Sequence, residues 1–438
     1  MSPSDLALRD LSEIADLIAT KKVSSVEATE ACLARIETWQ PRTNAFLRID
    51  RGGALRRARE MDAELAAGKR RSRLHGVPLA HKDLYYRKDE ISTAGSAIRR
   101  HWRAPFTATV LDRLDAAGAV ELGFLNMAEF AAGPTGHNVH FGHCRNPWDA
   151  TRVTGGSSSG SGASVAARMA YGSLGSDTGG SIRLPASACG VVGMKATYGR
   201  VSRYGVIPIT ADQDTPGPMA KYVRDAAIML GVLEGAAPDP NDPATNNCAR
   251  PPKGDYTQFL KEDALKGARI GIPRAFFYER LAVPGAEQPR GGLNAEQAKA
   301  MTEAIDMLKT AGATIVDPAD IPTVLAKNAD DNFLVWGMCG GVNDVKGKDS
   351  GCSEDLKYGM KRDFNAWLAS LGAAAPVKTL AELRAWNVAH QKAGAIKYGQ
   401  AALDISDELD VEADRPRYEA DRAKDLRLTT TNGIDAAM

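Results

Sequence analysis

Residues 154–190 read TGGSSSGSGASVAARMAYGSLGSDTGGSIRLPASACG. Two Gly-Gly-Ser turns, Gly155-Gly156-Ser157 and Gly179-Gly180-Ser181, bracket an Ala-rich segment and a short strand-like run, with almost no bulky side chain between them. Glycine loses more conformational freedom on folding than any other residue, so this density points to backbone conformations or close approaches that a Cβ would forbid. The stretch reads as an active-site framework.

Composition narrows what such a site serves. The chain has 438 residues, 44% of them hydrophobic and 25% charged, the balance of a soluble globular protein with a substantial core. A formal net charge of +1 supplies no global field for nucleic acid, a membrane or acidic substrates. The dense basic cluster, Lys69, Arg70, Arg71 and Arg73, reads as a solvated loop. The six cysteines, at 32, 144, 189, 248, 339 and 352, form no C-x-x-C pair and are expected to be free thiols. The N-terminus lacks the apolar run of a signal peptide and no stretch is apolar for long enough to span a bilayer, so a cytoplasmic location is expected.

Upstream of the glycine-rich stretch, residues 5–20 read as helical. Ser24 and Glu27 have the spacing of a capping box, opening a helix that should stop before Pro41. A charged helix over 53–67 ends at Gly68, and Gly76 to Asp83 is a short apolar run that delivers Lys82 at its end. An amphipathic helix over 107–117 leads into a strand over 119–122, and a loop follows from Gly133 to Trp148. Downstream, 219–233 reads as a helix and 236–256 as a surface connection. A strand–helix–strand unit spans 268–272, 295–310 and 314–316. Residues 353–425 read as mostly helical, with Leu356, Met360, Phe364 and Leu368 in register on one face. The fold class expected is α/β, a mixed central sheet covered by helices.

Four chemistries compete for the framework. A phosphate cradle needs G-x-x-x-x-G-K-[ST] or G-x-G-x-x-G, and neither is present. Gly156 to Gly160 matches the G-x-S-x-G nucleophile elbow formally, with Ser158 as nucleophile, but only His390 lies downstream to complete that triad. His137, His140 and His143 with Cys144 sit in a Gly-containing loop without an acidic residue, a poor zinc site. The remaining option is serine chemistry without histidine. A buried, neutral lysine can serve as base when a serine hydroxyl within reach carries its proton. Lys82 suits this, because it ends an apolar run while His81 points to the other face of the strand.

These residues carry a resemblance. Gly76-Val77-Pro78 with Lys82-Asp83, Gly155-Gly156-Ser157-Ser158, Asp177-Thr178-Gly179-Gly180-Ser181-Ile182-Arg183 and Gly190-Val191-Val192-Gly193-Met194-Lys195 are similar to the amidase signature family, strongly over about residues 5–235. Its members use a Ser–cis-Ser–Lys triad, and here the two serines are 24 residues apart with the lysine 75 before the first. The resemblance implies Ser181 as nucleophile, Ser157 as proton relay and Lys82 as base. It further implies an oxyanion hole from Thr178, Gly179 and Gly180, supported by Ser158, Asp177 and Arg183, with Thr154 as a second turn-bracing hydroxyl. One amidase signature domain over 1–438 is expected, with N-terminal helices over 5–67, a catalytic core over 74–235 and a late helical region over 320–425. Family members usually run on beyond the point matching Gly433 to Met438, so the C-terminal part of the fold is expected to be truncated.

The implied activity is hydrolysis of a non-peptide carboxamide through an acyl-enzyme, without metal or organic cofactor. The expected partner is a small-molecule amide, with no nucleic acid and no membrane, and a homodimer is left open. Two alternatives stand beside it: the amidase component of a tRNA-dependent amidotransferase, and a truncated inactive homologue. Ala211 to Pro218 is more similar to stand-alone amidases than to that component.

Overall fold

A computed structural model describes residues 2–340 and 351–438. It gathers into two compact units, residues 1–259 with 363–398, and residues 260–362 with 399–438.

The first unit is built on a six-stranded mixed sheet. Its strands are β1 (Phe46–Ile49), β2 (Pro78–Lys82), β3 (Val120–Leu125), β4 (Gly172–Asp177), β5 (Val192–Gly193) and β6 (Thr215–Ala220), in the spatial order β1-β3-β2-β4-β6-β5. The three central strands β3, β2 and β4 run parallel, while β1, β6 and β5 are antiparallel to their neighbours. The helices are α1 (Pro3–Leu8), α2 (Leu11–Ala19), α3 (Ser25–Thr43), α4 (Arg51–Ala66), α5 (Thr109–Ala117), α6 (Ser159–Ala166), α7 (Arg183–Cys189) and α8 (Val223–Glu234). The mixed sheet with its covering helices is the fold class expected.

Local chemistry explains most boundaries. The Ser24 capping box forms, with the Ser24 N–H donating to Glu27 at 2.7 Å and the Glu27 N–H to Ser24 Oγ at 3.1 Å. The region 5–20 is two helices, because Asp10 caps the second through the Glu13 N–H at 2.7 Å. Pro41 does not stop α3, which runs on to Thr43 and ends on Asn44 in the left-handed conformation, whose N–H reaches the Gln40 carbonyl at 2.8 Å. Of the basic run, Lys69 and Arg70 are exposed, whereas Arg71 folds back on Glu64 at 2.7 Å and on the Asp115 carbonyl at 3.1 Å.

The expected helix over 219–233 is in part a strand. Met219 lies in β6, whose TPGPMA sequence carries two prolines. Within an antiparallel strand the N–H and C=O of one residue face the same neighbour. Pro218 turns its carbonyl to the Met194 N–H on the β5 side at 3.1 Å, and β5 is only two residues long. The missing donors of Pro216 and Pro218 thus fall on the side where little is paired.

The second unit has a parallel pair, β7 (Arg269–Gly271) with β10 (Thr314–Val316), joined through α9 (Ala295–Thr310), as the strand–helix–strand pattern predicts. A short hairpin pairs β8 (Arg280–Leu281) with β9 (Arg290–Gly291). Of the later helices, α10 (Pro322–Leu325), α13 (Ala401–Asp407) and α14 (Arg415–Leu426) belong to this unit, α11 (Asp355–Ser370) begins in it and ends in the first, and α12 (Leu380–Ala389) belongs to the first. Met360, Phe364 and Leu368 of α11 are buried. Tyr358 and Tyr418 stack with ring centroids 4.2 Å apart, packed with Leu409.

The expectation of six free thiols fails at one pair. Cys339 and Cys352 form a disulfide, while Cys32, Cys144, Cys189 and Cys248 are free. Backbone bonds from Cys339 N–H to the Ser353 carbonyl at 3.0 Å and from Ser353 N–H to the Gly337 carbonyl at 2.8 Å bring the two sulfurs together. A pairing made by strand-like contacts across a loop leaves no spacing motif in the sequence. Among the described residues no helix is long and apolar enough to cross a membrane.

Candidate active site

Two strand ends and two helix starts meet in the first unit. β2 delivers Lys82 from an entirely buried strand, and β4 delivers Ser176 and Asp177 beside it. The turn after β4 carries Ser181 into α7, and the turn before α6 carries Ser157. The peptide between Gly156 and Ser157 is cis. Gly156 has no room for a side chain, since a Cβ would lie 2.5 Å from the Gly136 nitrogen and 2.6 Å from the Gly133 carbonyl oxygen. Gly180 sits at φ +138°, a conformation that favours glycine.

Lys82 is fully buried, and its ammonium nitrogen lies 2.7 Å from Ser157 Oγ and 2.9 Å from Ser176 Oγ. Burial pushes its pKa down to about 7, against the opposing charges of Asp177 and Asp214. A lysine in that state can both take and return a proton near neutral pH. Ser157 therefore has a base in contact. Ser181 is half-buried, and among the described residues its hydroxyl makes no hydrogen bond to Ser157 or Lys82. The Ser181 carbonyl accepts the Ser158 N–H at 3.2 Å, which ties the two glycine-rich turns together.

Asp177 organises the nucleophile turn from beneath. Its carboxylate accepts the N–H groups of Gly180 at 2.8 Å and Ile182 at 3.1 Å, and the Arg183 guanidinium at 3.1 Å from both ends. Burial raises its pKa, but Arg183, Lys195 and the backbone donors outweigh this and hold the carboxyl well below the usual range. Ser158 Oγ donates to the Ser176 carbonyl and accepts the Ser176 N–H, both at 3.2 Å. Thr154 turns its hydroxyl to the Gly155 carbonyl at 2.9 Å.

The geometry distinguishes among the three residues expected to supply oxyanion donors. The Gly180 N–H is taken by Asp177, whereas among the described residues those of Thr178, Gly179 and Ser181 donate to no protein group. Thr178 donates its hydroxyl to Asp214, a carboxyl that burial pushes up to about 6 despite this bond and the N–H groups of Ile209 and Thr210. Asp214 also lines an aromatic cleft of about 640 Å3 with Tyr86, Trp102, Phe106, Tyr204 and Trp367, although Lys82, Ser157 and Ser181 do not line it.

Sequence reasoning missed Ser176, Lys195 and Asp214. Ser176 stands directly before Asp177, and its place in the small-residue run hid it. The histidine loop commits its side chains to protein partners: His140 meets Glu129 at 3.0 Å, His143 accepts the Asn138 N–H at 2.9 Å and meets the Tyr398 hydroxyl at 3.0 Å, and His137 pairs with Thr135.

Known proteins resemble this chain in sequence and fold. The family model described as Amidase matches residues 27–392. The chain belongs to the amidase signature family. As a member of that family it is 46% identical over 300 residues to the A component of the glutamyl-tRNA(Gln) amidotransferase of Anaeromyxobacter sp. strain K, a match covering 68% of this chain and 57% of the relative. The chain thus spans little more than half the length of that relative. Among solved structures, this chain superposes on the native peptide amidase from Stenotrophomonas maltophilia with a TM-score of 0.82 at 32% identity, covering 98% of this chain and 81% of that one. The A component of the Thermotoga maritima glutamyl-tRNA(Gln) amidotransferase superposes with a TM-score of 0.63 at 25% identity, covering 97% of this chain and 76% of that one.

Proposed function

We propose that the protein hydrolyses the C–N bond of a small, linear, non-peptide carboxamide. The observation that carries this reading is the buried Lys82 ammonium nitrogen 2.7 Å from Ser157 Oγ, in a site that lowers its pKa to about 7. Ser181 Oγ attacks the amide carbon, and its proton passes through Ser157 to neutral Lys82. The tetrahedral oxyanion is received by backbone N–H groups of the Thr178 to Ser181 turn, a kind of stabilisation typically worth a few kcal/mol. Lys82 returns the proton through Ser157 to the leaving nitrogen, and the amine departs. Water then attacks the acyl-enzyme by the same relay, releasing the carboxylic acid and restoring Ser181.

The whole-chain likeness to the peptide amidase supports a self-contained hydrolase. A fluorophosphonate should label Ser181, and Ser181→Ala and Lys82→Ala should each abolish turnover of a panel of simple amides. Full activity in either variant would sink the reading. The 46% identity to an amidotransferase component favours a second one, in which the same triad releases ammonia from glutamine for a partner that holds tRNA. Co-purification with a tRNA-binding protein, together with glutamine as the preferred amide, would favour it. Folded protein that takes no label would instead mark an inactive homologue.

In the first reading the enzyme works in the cytoplasm without metal, organic cofactor or nucleic acid. The Cys339–Cys352 bridge is the feature that speaks against that compartment, since disulfides persist mainly where the surroundings are oxidising. Trapping the thiol state in freshly lysed cells decides the point.

A further inference from the structure

Lys195 lies outside the triad and grips the nucleophile turn by its carbonyl groups. Its ammonium nitrogen is 3.0 Å from the Asp177 carbonyl oxygen, 2.8 Å from the Thr178 carbonyl oxygen and 3.2 Å from Asp177 Oδ1. The side chain is 26% exposed, and its backbone is fixed by β5, where Gly193 pairs with Met219 and Met194 N–H reaches the Pro218 carbonyl at 3.1 Å.

A trans peptide is planar, with its C=O and N–H pointing in opposite senses. The Asp177 carbonyl shares a peptide with the Thr178 N–H, and the Thr178 carbonyl shares one with the Gly179 N–H. By holding both oxygens on one side, a single ammonium turns both N–H groups to the other. On that side no protein group among the described residues accepts them, and a Cβ on Gly179 would meet nothing within 4 Å. The Gly180 N–H is already committed to Asp177. The donors left for an oxyanion therefore include the two whose planes Lys195 sets, and its charge polarises those peptides in the sense that strengthens their N–H groups.

We propose that Lys195 is a positioning residue for the oxyanion hole: it orients and polarises the Thr178 and Gly179 amides without touching substrate. This rests on the amide-hydrolase reading of the site. A mere salt-bridge partner of Asp177 would affect stability, whereas an oxyanion organiser affects the transition state more than substrate binding.

The test is Lys195→Met, with Lys195→Gln and Lys195→Arg beside it, in the full chain and with folding checked by melting. In Lys195→Met, kcat on a small amide should fall at least tenfold while KM stays within twofold. The second-order rate constant for fluorophosphonate labelling of Ser181 should fall comparably, because the phosphoryl oxygen needs the same donors. Lys195→Arg should recover part of both. Folded Lys195→Met with kcat within twofold of the parent, or a loss confined to KM, overturns the role. If Lys195→Met does not fold, Lys195→Gln is read the same way, and an unchanged kcat there overturns it. A parent chain that neither turns over amide nor takes the label defeats the hydrolase reading itself, and the role of Lys195 falls with it; a labelled parent beside an equally labelled variant defeats only Lys195.

Discussion

At the scale of single residues, Lys82 couples activity to stability through one proton. In the proposed mechanism its neutral form is the base, so kcat/KM should rise with pH along a limb centred near 7, the value to which burial lowers it. A pH–rate profile on one small amide checks this, and a limb centred near 10 would contradict it. The stability effect has a definite sign. In the unfolded chain the lysine keeps its ordinary pKa of 10.5, so between about 7 and 10.5 the unfolded state binds more protons and folding gains as pH rises. Lys82→Met should therefore abolish turnover yet raise the melting temperature at pH 7. Asp177 gives a slope of the same sign at lower pH: its depressed pKa stabilises the fold above the ordinary carboxylate range, and that stability is lost as pH falls below it. Lys82, Ser157 and Ser181 were legible because their spacing resembles a known family. The roles of Ser176 and Lys195 were not, because a serine in a small-residue run and a lysine at the end of a quoted motif carry no sign of their partners; only the fold sets Ser176 Oγ against Lys82 and Lys195 against the Asp177 and Thr178 carbonyls.

At the scale of elements, α6 tightly limits substitution, since its residues from Ser159 to Val165 are all buried and none larger than valine. A Cβ at Gly160 would lie 2.2 Å from the Ala45 carbonyl oxygen and 2.6 Å from the Asn126 nitrogen, both backbone atoms that cannot turn aside. Gly160→Ala should destabilise by roughly 3 kcal/mol or more, or prevent folding, as overpacking against backbone does. Gly52 in α4 offers the control, because a Cβ there meets nothing within 4 Å. Gly52→Ala should stabilise by about 0.5–1 kcal/mol, through helix propensity alone. Denaturant melts of both variants measure the contrast. Elements with strong end signals were readable: the Ser24–Glu27 box opens α3, and the pattern over 295–310 is α9 to the residue. Those decided by neighbours were not. Pro41 stays inside a helix whose packing outweighs one lost bond, and β6 is a strand because β4 pairs along its whole length.

At the scale of the whole molecule, the Cys339–Cys352 bridge closes a loop of 13 residues within the second unit. Loops of that size are worth about 3 kcal/mol in the chain-entropy description, so Cys352→Ser should lower the stability of that unit by about 2–3 kcal/mol. Denaturant melts with and without reductant check it, and a parent protein indifferent to reductant would contradict it. The division of the chain was not legible, because the chain passes from the second unit back to the first inside α11, between Arg362 and Asp363, and no change in residue period marks the place. That interleaving bears on how the protein is made. A ribosome delivers residues 1–259 first, but the first unit is finished only by Phe364, whose ring packs against Phe130 at 5.2 Å, and Trp367, which donates to the Tyr86 hydroxyl at 2.6 Å. Until about a hundred further residues have been translated, those aromatic faces stay open to water, and the nascent chain is exposed to aggregation for that interval. Synonymous codons that slow synthesis between 260 and 362 should therefore lower soluble yield, although they alter no residue of the finished protein.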